Sequence, residues 1–481
     1  MPTRIPTLVD NGHRTSARAI SSQIEAGSFR DPESAVFYAD GQILRGLTVR
    51  GAAEWAAVGG TGLVERLIAQ RKLVTTREAF GIAPASFRID WVAVLEHDEV
   101  PFVSYPFEWC FGMLRDAAIL HLEILIESIN HGVTMKDGHA YNVQWWGSRP
   151  TFIDVMSFTT LTGGPWPGYR QFCETFLNPL FLQAHRGVDF QPWLRGRLGG
   201  IPVGDMLRLL SARDLARRGV LRHVVAHGLM DRWATGPSQA TQRAMAEAGF
   251  GAEVANAAAA GLLKLVRSLS WRSRRSAWST YGVDKPYSDE DLARKAAFVE
   301  SAVVSGRART VWDLGCNDGT YSRVAARAAD YVVAIDADHP TVDRLYRALR
   351  ADGNEKVLPL VMDLADPSPG LGWRNAERQA LLDRDPPELV LCLALVHHLA
   401  IRSNVPMGEI VAWLRSFGCR VLVEFVGRDD PMVQRMLADK PIDHPEYRIE
   451  AFESYLAGCF RIERREPLTS GTRTLYLAAP R

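Results

Sequence analysis

Thr310-Val311-Trp312-Asp313-Leu314-Gly315-Cys316-Asn317-Asp318-Gly319-Thr320 is the stretch that decides the reading of this chain. Its first five residues form a short apolar run, which is how a strand buried on both faces reads. Gly315 and Gly319 let the backbone turn tightly and approach a ligand closely, and a helix starting directly afterwards presents free N–H groups. Runs of the same kind recur at Tyr331–Ile335, Val357–Val361, Leu389–Leu395 and Val421–Phe425. Helix-like segments such as Tyr321–Ala329 and Pro340–Arg350 lie between them. Two more runs, Phe460–Arg464 and Thr474–Ala478, flank the turn residues Thr469-Ser470-Gly471-Thr472 and read as an antiparallel hairpin. Five parallel strands with helices and a terminal hairpin predict a doubly wound α/β domain.

The ends of these strands carry acids. The second ends in Ile335-Asp336, about twenty residues beyond the glycine turn, where a carboxylate can hydrogen-bond both hydroxyls of a ribose. The third ends in Met362-Asp363-Leu364, an acid placed to meet the exocyclic amine of an adenine. A plain tight turn explains the glycines alone; it does not explain Asp313, Asp336 and Asp363 converging on one crevice. A dinucleotide enzyme normally shows GxGxxG. Here Asp313 precedes Gly315-Cys316-Asn317-Asp318-Gly319, and the segment resembles the class I S-adenosylmethionine (SAM)-dependent methyltransferases, whose first motif has the form (D/E)xGxxxG. Asn317 stands where that family more often has Gly.

The resemblance covers about residues 278–481 and implies a Rossmann-like, seven-stranded methyltransferase fold with SAM as cofactor. By it, the loop of Asp313, Gly315, Cys316, Asn317 and Gly319 lines the methionine end, Asp336 holds the ribose and Asp363 meets the adenine. Upstream, Trp278-Ser279-Thr280-Tyr281 and Pro286-Tyr287 read as aromatics of a flap over the cofactor, with Tyr281 a cofactor-binding candidate. Ser288-Asp289-Glu290 is equally well explained as a helix N-cap with acids in the first turn. Arg428-Asp429-Asp430-Pro431-Met432-Val433-Gln434-Arg435-Met436-Leu437, with Tyr287-Ser288 and His444-Pro445-Glu446-Tyr447, resembles a bacterial methyltransferase family that includes the rhizobial nodulation host-specificity methyltransferases.

The fourth strand runs into Ala394-Leu395-Val396-His397-His398-Leu399, the position that opens onto the transferring methyl in small-molecule methyltransferases. A neutral imidazole there can take a proton from an acceptor hydroxyl, with an expected pKa of about 6 to 7. Adjacent residues cannot both face a pocket, so His397 or His398 is the expected base and the other is structural. Glu424, in Val423-Glu424-Phe425, is a second candidate for base duty or substrate binding, set against a buried acid satisfied by backbone. The expected reaction is methyl transfer to a hydroxyl of a small molecule or glycan, with nitrogen or carbon acceptors left open.

Lys plus Arg number 56 and Asp plus Glu 55, a net charge of +1 that excludes the strongly basic footprint of a dedicated nucleic-acid binder. The six cysteines are scattered without CxxC pairs, which argues against structural zinc or a disulfide framework, and no metal site is expected. No apolar run approaches the ~18 residues of a membrane span, so the expected setting is cytoplasmic with no membrane partner. A homodimer is among the expected assemblies. The composition shift around Thr235–Ala277 predicts three parts: an α+β accessory domain (1–235), a helical connector (236–277) and the α/β domain (278–481). Trp271-Arg272-Ser273-Arg274-Arg275-Ser276 in the connector reads as a solvated segment or a phosphate-binding patch.

In the first part, an apolar helix at Met113–Ile129 precedes Asp137 and Asn142, and Asp154 follows twelve residues after Asn142. This spacing matches a protein-kinase catalytic loop and metal-binding Asp, with Ser104–Trp109 where a hinge would lie. Ala35–Thr48 reads as a hairpin around Asp40-Gly41, but no VAIK-like strand with its Lys follows it. A kinase-like scaffold without activity is therefore the expectation, with a bifunctional methyltransferase–kinase using Asp137, Asn142 and Asp154 as the alternative. Asx turns within the loop account for the same residues more simply.

Overall fold

The computed structural model describes residues 22–79, 91–228, 251–272, 287–440 and 444–481. The chain forms two compact units, residues 1–53 with 75–99, and residues 54–74 with 100–481.

In the first unit, strands Ser22–Ile24, Ser34–Ala39, Gln42–Leu47, Ala93–His97 and Thr76–Glu78 pair in that order, all antiparallel. The expected hairpin turns at Asp40-Gly41, both at positive φ (50° and 76°), the geometry of a two-residue turn whose twist suits the strands. Phe37 stacks on Trp91 at 5.0 Å over a small core with Ala35, Leu44 and Val94.

The second unit is built on a seven-stranded mixed α/β sheet. Its strands are β1 (Thr310–Leu314), β2 (Tyr331–Asp336), β3 (Val357–Val361), β4 (Leu389–Cys392), β5 (Arg420–Val426), β6 (Phe460–Pro467) and β7 (Arg473–Pro480). They lie in the order β3-β2-β1-β4-β5-β7-β6; β1 to β5 are parallel, and β7 inserts antiparallel between β5 and β6. Every residue of Val311–Leu314 and Leu389–Cys392 is buried, because helices cover both faces. Helix Asp289–Gly306 begins where Ser288 Oγ accepts the Asp291 N–H at 3.1 Å, with three acids in its first turn.

The fourth strand is shorter than its apolar run. It ends at Cys392 rather than Leu395, because Ala394 adopts a left-handed φ of +50° and turns the chain out of the sheet. His397 and His398 therefore sit beyond the strand, at the start of a wide helical turn, His398–Arg402.

Residues 100–228 pack against the β3 side of this sheet. Helix α1 (Phe111–Asn130) lies on helix α2 (His339–Ala351): the Gly112 N–H donates to Asp343 Oδ1 at 2.7 Å and the Tyr346 hydroxyl to Asp116 Oδ2 at 2.7 Å. A Cβ on Gly112 would lie 2.8 Å from the Tyr346 ring, so glycine is what permits this approach. The hairpin Val143–Trp146/Arg149–Phe152 presses its tip on the sheet, with the Ser148 N–H on the Asn354 carbonyl at 3.0 Å and Arg149 on Glu355 at 2.9 Å. Part of the expected connector also belongs here: helix Ala252–Ser268 lies on α1, with Asn256 bonded to Asn130 and Arg267 paired to Glu123 at 2.7 Å. Residues 236–250 of that connector lie outside the described residues.

The deepest tie is an ion pair. Arg384 donates twice to Glu108 (2.6 and 2.9 Å), the Ser368 hydroxyl adds a third bond at 2.6 Å, and both charged side chains are 1% exposed. Removing one partner leaves the other charged, buried and unpaired. Glu108→Ala is therefore expected to lower stability by about 3–5 kcal/mol, and the double change Glu108→Leu with Arg384→Met by much less. Denaturant unfolding checks this; a double variant as unstable as the single would show that packing, not the stranded charge, sets the loss.

Candidate functional site

A cavity of about 1780 Å³ opens at the carboxyl ends of β1 to β4. Gly315, Cys316, Asn317, Asp336, Asp363 and His398 all line it, with Asp313 at its floor. A crevice outside the carboxyl ends of parallel strands is where an open α/β sheet binds ligands.

The loop after β1 is held in shape by β2. The N–H groups of Gly315 and Cys316 both donate to the Ile335 carbonyl, at 2.8 and 3.0 Å. Gly315, Asn317 and Gly319 have φ of 78°, 48° and 75°, the left-handed region that glycine and, less readily, asparagine adopt. Asn317 thus fills a position of the kind glycine favours without leaving the allowed region. Gly319 is also a packing requirement, since a Cβ there would lie 2.5 Å from Leu345. Cys316 is buried, and burial pushes its thiol well above the ordinary range, so it acts as an apolar wall of the loop.

The three strand-end acids differ in surroundings. Asp313 is buried and accepts the Ser322 hydroxyl at 2.6 Å. Burial pushes its pKa up to about 6, with the Ser322 bond opposing and the Asp336 charge adding to the rise. Its role is to tie β1 to the following helix, with its carboxylate turned to Ser322. Asp336 accepts the Asn317 N–H at 2.8 Å on one oxygen and the Asp338 N–H at 2.9 Å on the other. Each oxygen keeps a further lone pair for a hydroxyl donor, and burial raises its pKa. Asp363 is exposed at the rim, with one oxygen taken by the Ala365 N–H at 2.9 Å. Tyr281 lies outside the described residues, whereas Tyr287 lines the cavity.

The two histidines separate. His398 lines the cavity; His397 does not, is completely buried, and has no hydrogen-bond partner for either ring nitrogen among the described residues. Their rings lie 4.0 Å apart. Burial first, then the charges of Arg402 and Arg473, pushes the His398 pKa down to about 4, below the 6 to 7 expected for an imidazole in water. Burial likewise pushes the His397 pKa well below the ordinary value.

Glu424 is not at the cavity surface. It is fully buried, with Oε2 on Lys295 Nζ at 2.7 Å and Oε1 accepting the Tyr287 hydroxyl at 3.0 Å and facing Arg473 at 3.5 Å. The reading of Glu424 as a carboxyl satisfied by backbone gives way to one satisfied by charged side chains. Both oxygens are taken by these partners, and neither faces an acceptor. Lys295 and Arg473 were not candidates from sequence. Arg473 binds Asp430 bidentately (2.7 and 3.2 Å) and reaches the Tyr287 hydroxyl; Lys295 lies over the Tyr287 and Tyr321 rings at 4.2 and 4.7 Å. The signal for Lys295 was present: it falls on the buried stripe Asp291, Lys295, Phe298, Ala302 of its helix, where a lysine needs a partner.

In residues 100–228 the kinase-like spacing does converge. The strand Val133–Met135 pairs with Phe158–Thr160, and the loops around the neighbouring hairpin bring Asp137, Asn142 and Asp154 together. Each is spent locally: Asp137 accepts the His139 N–H at 2.9 Å and Asn142 Nδ2 at 3.1 Å, and Asp154 accepts the Ser157 hydroxyl at 2.7 Å. Among the described residues no cluster of three or more His, Cys, Asp or Glu side chains is arranged to hold a metal ion, and no helix is long and apolar enough to cross a membrane. All six cysteines are free.

No profile of a known protein family matches the chain. Among solved structures, it is similar to the PH0226 protein of Pyrococcus horikoshii OT3 (14% identity, 42% of this chain and 95% of that one, TM-score 0.31). It is likewise similar to the N-methyltransferase NodS of Bradyrhizobium japonicum WM9 (12% identity, 41% and 99%, TM-score 0.30). Over 461 residues it is 33% identical to the nodulation protein NoeA of Rhizobium meliloti (strain 1021), covering 94% of this chain and 95% of that protein. A likeness of that depth along nearly the whole of both sequences places the chain in the NoeA family.

Proposed function

We propose that this protein is a SAM-dependent methyltransferase that methylates a hydroxyl of a small molecule or glycan. The observation that carries the reading is Asp336: a carboxylate anchored by two backbone N–H groups at the end of β2, with lone pairs left over, beside a glycine loop that leaves room for a ligand. The fit extends to the loop, where a Cβ on Gly315 would stand only 3.3 Å from Leu395. SAM supplies an electrophilic methyl group on a sulfonium. Asp336 holds the ribose hydroxyls, Asp363 the adenine amine, and the loop Gly315–Gly319 the methionine end. The acids of this wall favour a cation electrostatically.

The chemistry left to the protein is alignment and removal of one proton. His398 is the base, because it is the histidine on the cavity wall and its imidazole is already neutral. His397 packs behind it. Glu424, Lys295 and Arg473 are positioning residues that fix Tyr287 at the cavity. In the division into parts 1–235, 236–277 and 278–481, the last binds the cofactor, and residues 183–217 and 268–272 of the first two shape the acceptor side. Cytoplasmic location and homodimer formation belong to this reading as well.

Asp336→Ala removes a charge-assisted pair of ribose hydrogen bonds worth about 1.5–3 kcal/mol each, so SAM affinity is expected to fall at least tenfold. Calorimetry on the folded variant checks this, and unchanged affinity refutes the cofactor assignment. His398→Ala should lower turnover by about 10²–10⁴-fold with SAM affinity unchanged. The base is lost only when protonated. With its pKa at about 4, turnover should stay level through neutral pH and fall only as pH drops towards that value. A fall centred near pH 6 to 7, or a His398→Ala variant at wild-type rate, excludes His398 as the base.

The cluster of Asp137, Asn142 and Asp154 is a structural node in this reading, supported by the local bonds that occupy its carboxylates. Asp154→Asn should leave methyl transfer near the wild-type rate, and the protein should not hydrolyse Mg·ATP. ATP hydrolysis that disappears in Asp154→Asn establishes the bifunctional alternative instead.

A further inference from the structure

The cavity is much larger than one cofactor needs; drug-sized ligands occupy about 300–1000 Å³. Its far wall comes from residues 183–217 and 268–272, and the charge there is opposite to that of the strand-end wall. Asp313, Asp336 and Asp363 lie on one side, and Arg186, Arg217 and Arg272 on the other. The acid in the far-wall lining, Asp189, takes the Gln183 amide at 2.9 Å, and Arg195 of that wall is spent on both oxygens of Asp366 at 2.9 Å. Arg186 is turned to Asp214 at 3.3 Å. Arg217 and Arg272 have no carboxylate within ion-pair distance among the described residues, and both line the cavity.

Two buried amides lie in the same wall. Gln183 and Gln191 are 1% and 6% exposed, and each spends its NH₂ group, on Asp189 and on the Trp109 carbonyl (2.7 Å). Their Oε1 atoms have no partner among the described residues, although both residues line the cavity. A buried carbonyl without a donor is costly, and a hydroxyl group satisfies it. Trp271, beside Arg272, adds an aromatic wall.

We infer that this end of the cavity binds a hydroxylated oxyanion, an acceptor bearing a phosphate or carboxylate that Arg217 and Arg272 hold while Oε1 of Gln183 and of Gln191 accepts hydrogen bonds from its hydroxyls. Guanidinium groups match such oxyanions in planar, bidentate geometry, and a cation-rich end keeps the acceptor's charge away from the acids of the cofactor wall. The inference rests on the methyltransferase reading for the ligand's role as acceptor, and on the cavity alone for its chemistry.

The test uses the full chain with glycerol phosphate, glucuronate and neutral glucose as probes, and the double variant Arg217→Ala with Arg272→Ala. Both arginines are exposed, so the variant should fold. Calorimetry should show saturable binding of at least one anion, none of glucose, and a loss of about tenfold or more in the double variant, with affinity for S-adenosylhomocysteine unchanged. Preference for glycerol phosphate assigns a phosphate acceptor and preference for glucuronate a carboxylate. Anion affinity that survives the double change, or an absence of saturable anion binding, overturns the inference. Anion binding in a wild-type protein that does not bind S-adenosylhomocysteine keeps the anion site and overturns the methyltransferase reading instead.

Discussion

The second unit depends on the seating of residues 100–228 against the β3 side of the sheet, and that seating turns on the buried pair of Glu108 and Arg384. An isolated charge in this position would be costly to bury. Here the carboxylate receives two guanidinium bonds, the Ser368 hydroxyl and the Tyr105 backbone N–H, so its oxygens are satisfied from both sides of the seam. Such a pair contributes less to net stability than to register, because any slippage strands a charge. The weaker ties around it, Gly112 to Asp343 and Ser148 to Asn354, are short-range and directional, and they hold only in the register the ion pair sets. The cavity follows from this, because the segment that continues to residues 183–217 supplies the wall facing the strand ends.

The site stores strain as well as charge. Asn317 and Ala394 are both non-glycine residues at positive φ, and both border the cavity. Ala394 costs about 1–2 kcal/mol relative to ordinary backbone and Asn317 less, an expense that persists only where the surroundings over-determine the conformation. At Asn317 the determinant is its N–H bond to Asp336. At Ala394 it is the need to leave the sheet early: a strand continuing to Leu395 would keep His398 from the wide helical turn that brings it to the cavity. The backbone pattern and the chemistry are thus coupled at the same two loops.

The parallel strands, the glycine loop and the acids at 336 and 363 were legible because each depends on neighbours close in sequence. Apolar runs, tight turns and strand ends are local facts. What sequence could not give was the outcome of competition at longer range. The run Leu389–Leu395 looks like one strand, and only the turn at Ala394 divides it. Glu424 looked like a candidate base because its partners come from 129 and 49 residues away, Lys295 and Arg473. The far wall of the cavity was illegible for the same reason. Trp271-Arg272 read equally as a solvated segment or an anion site, and nothing local distinguishes an arginine that faces bulk water from one that faces a cavity.

Burial also changes what the acid–base groups can do. Glu424 sits among Lys295, Arg473 and the Tyr287 hydroxyl, so both its oxygens are spent on fixed partners and none is left for an acceptor. His398 lies near cations that disfavour its charged form, with burial acting the same way. An imidazole of pKa about 4 is a weak base in equilibrium terms, which would count against it if it had to hold the proton. On the proposed function it need hold it only as the methyl group is transferred. In a single displacement the acceptor oxygen loses its proton as the sulfonium charge disappears, so the positive charge passes from the cofactor side of the cavity to the imidazole. On this argument the low pKa in the resting site follows from burial and from the charges of Arg402 and Arg473, and discharge of the sulfonium removes one further cation that opposes protonation of the imidazole.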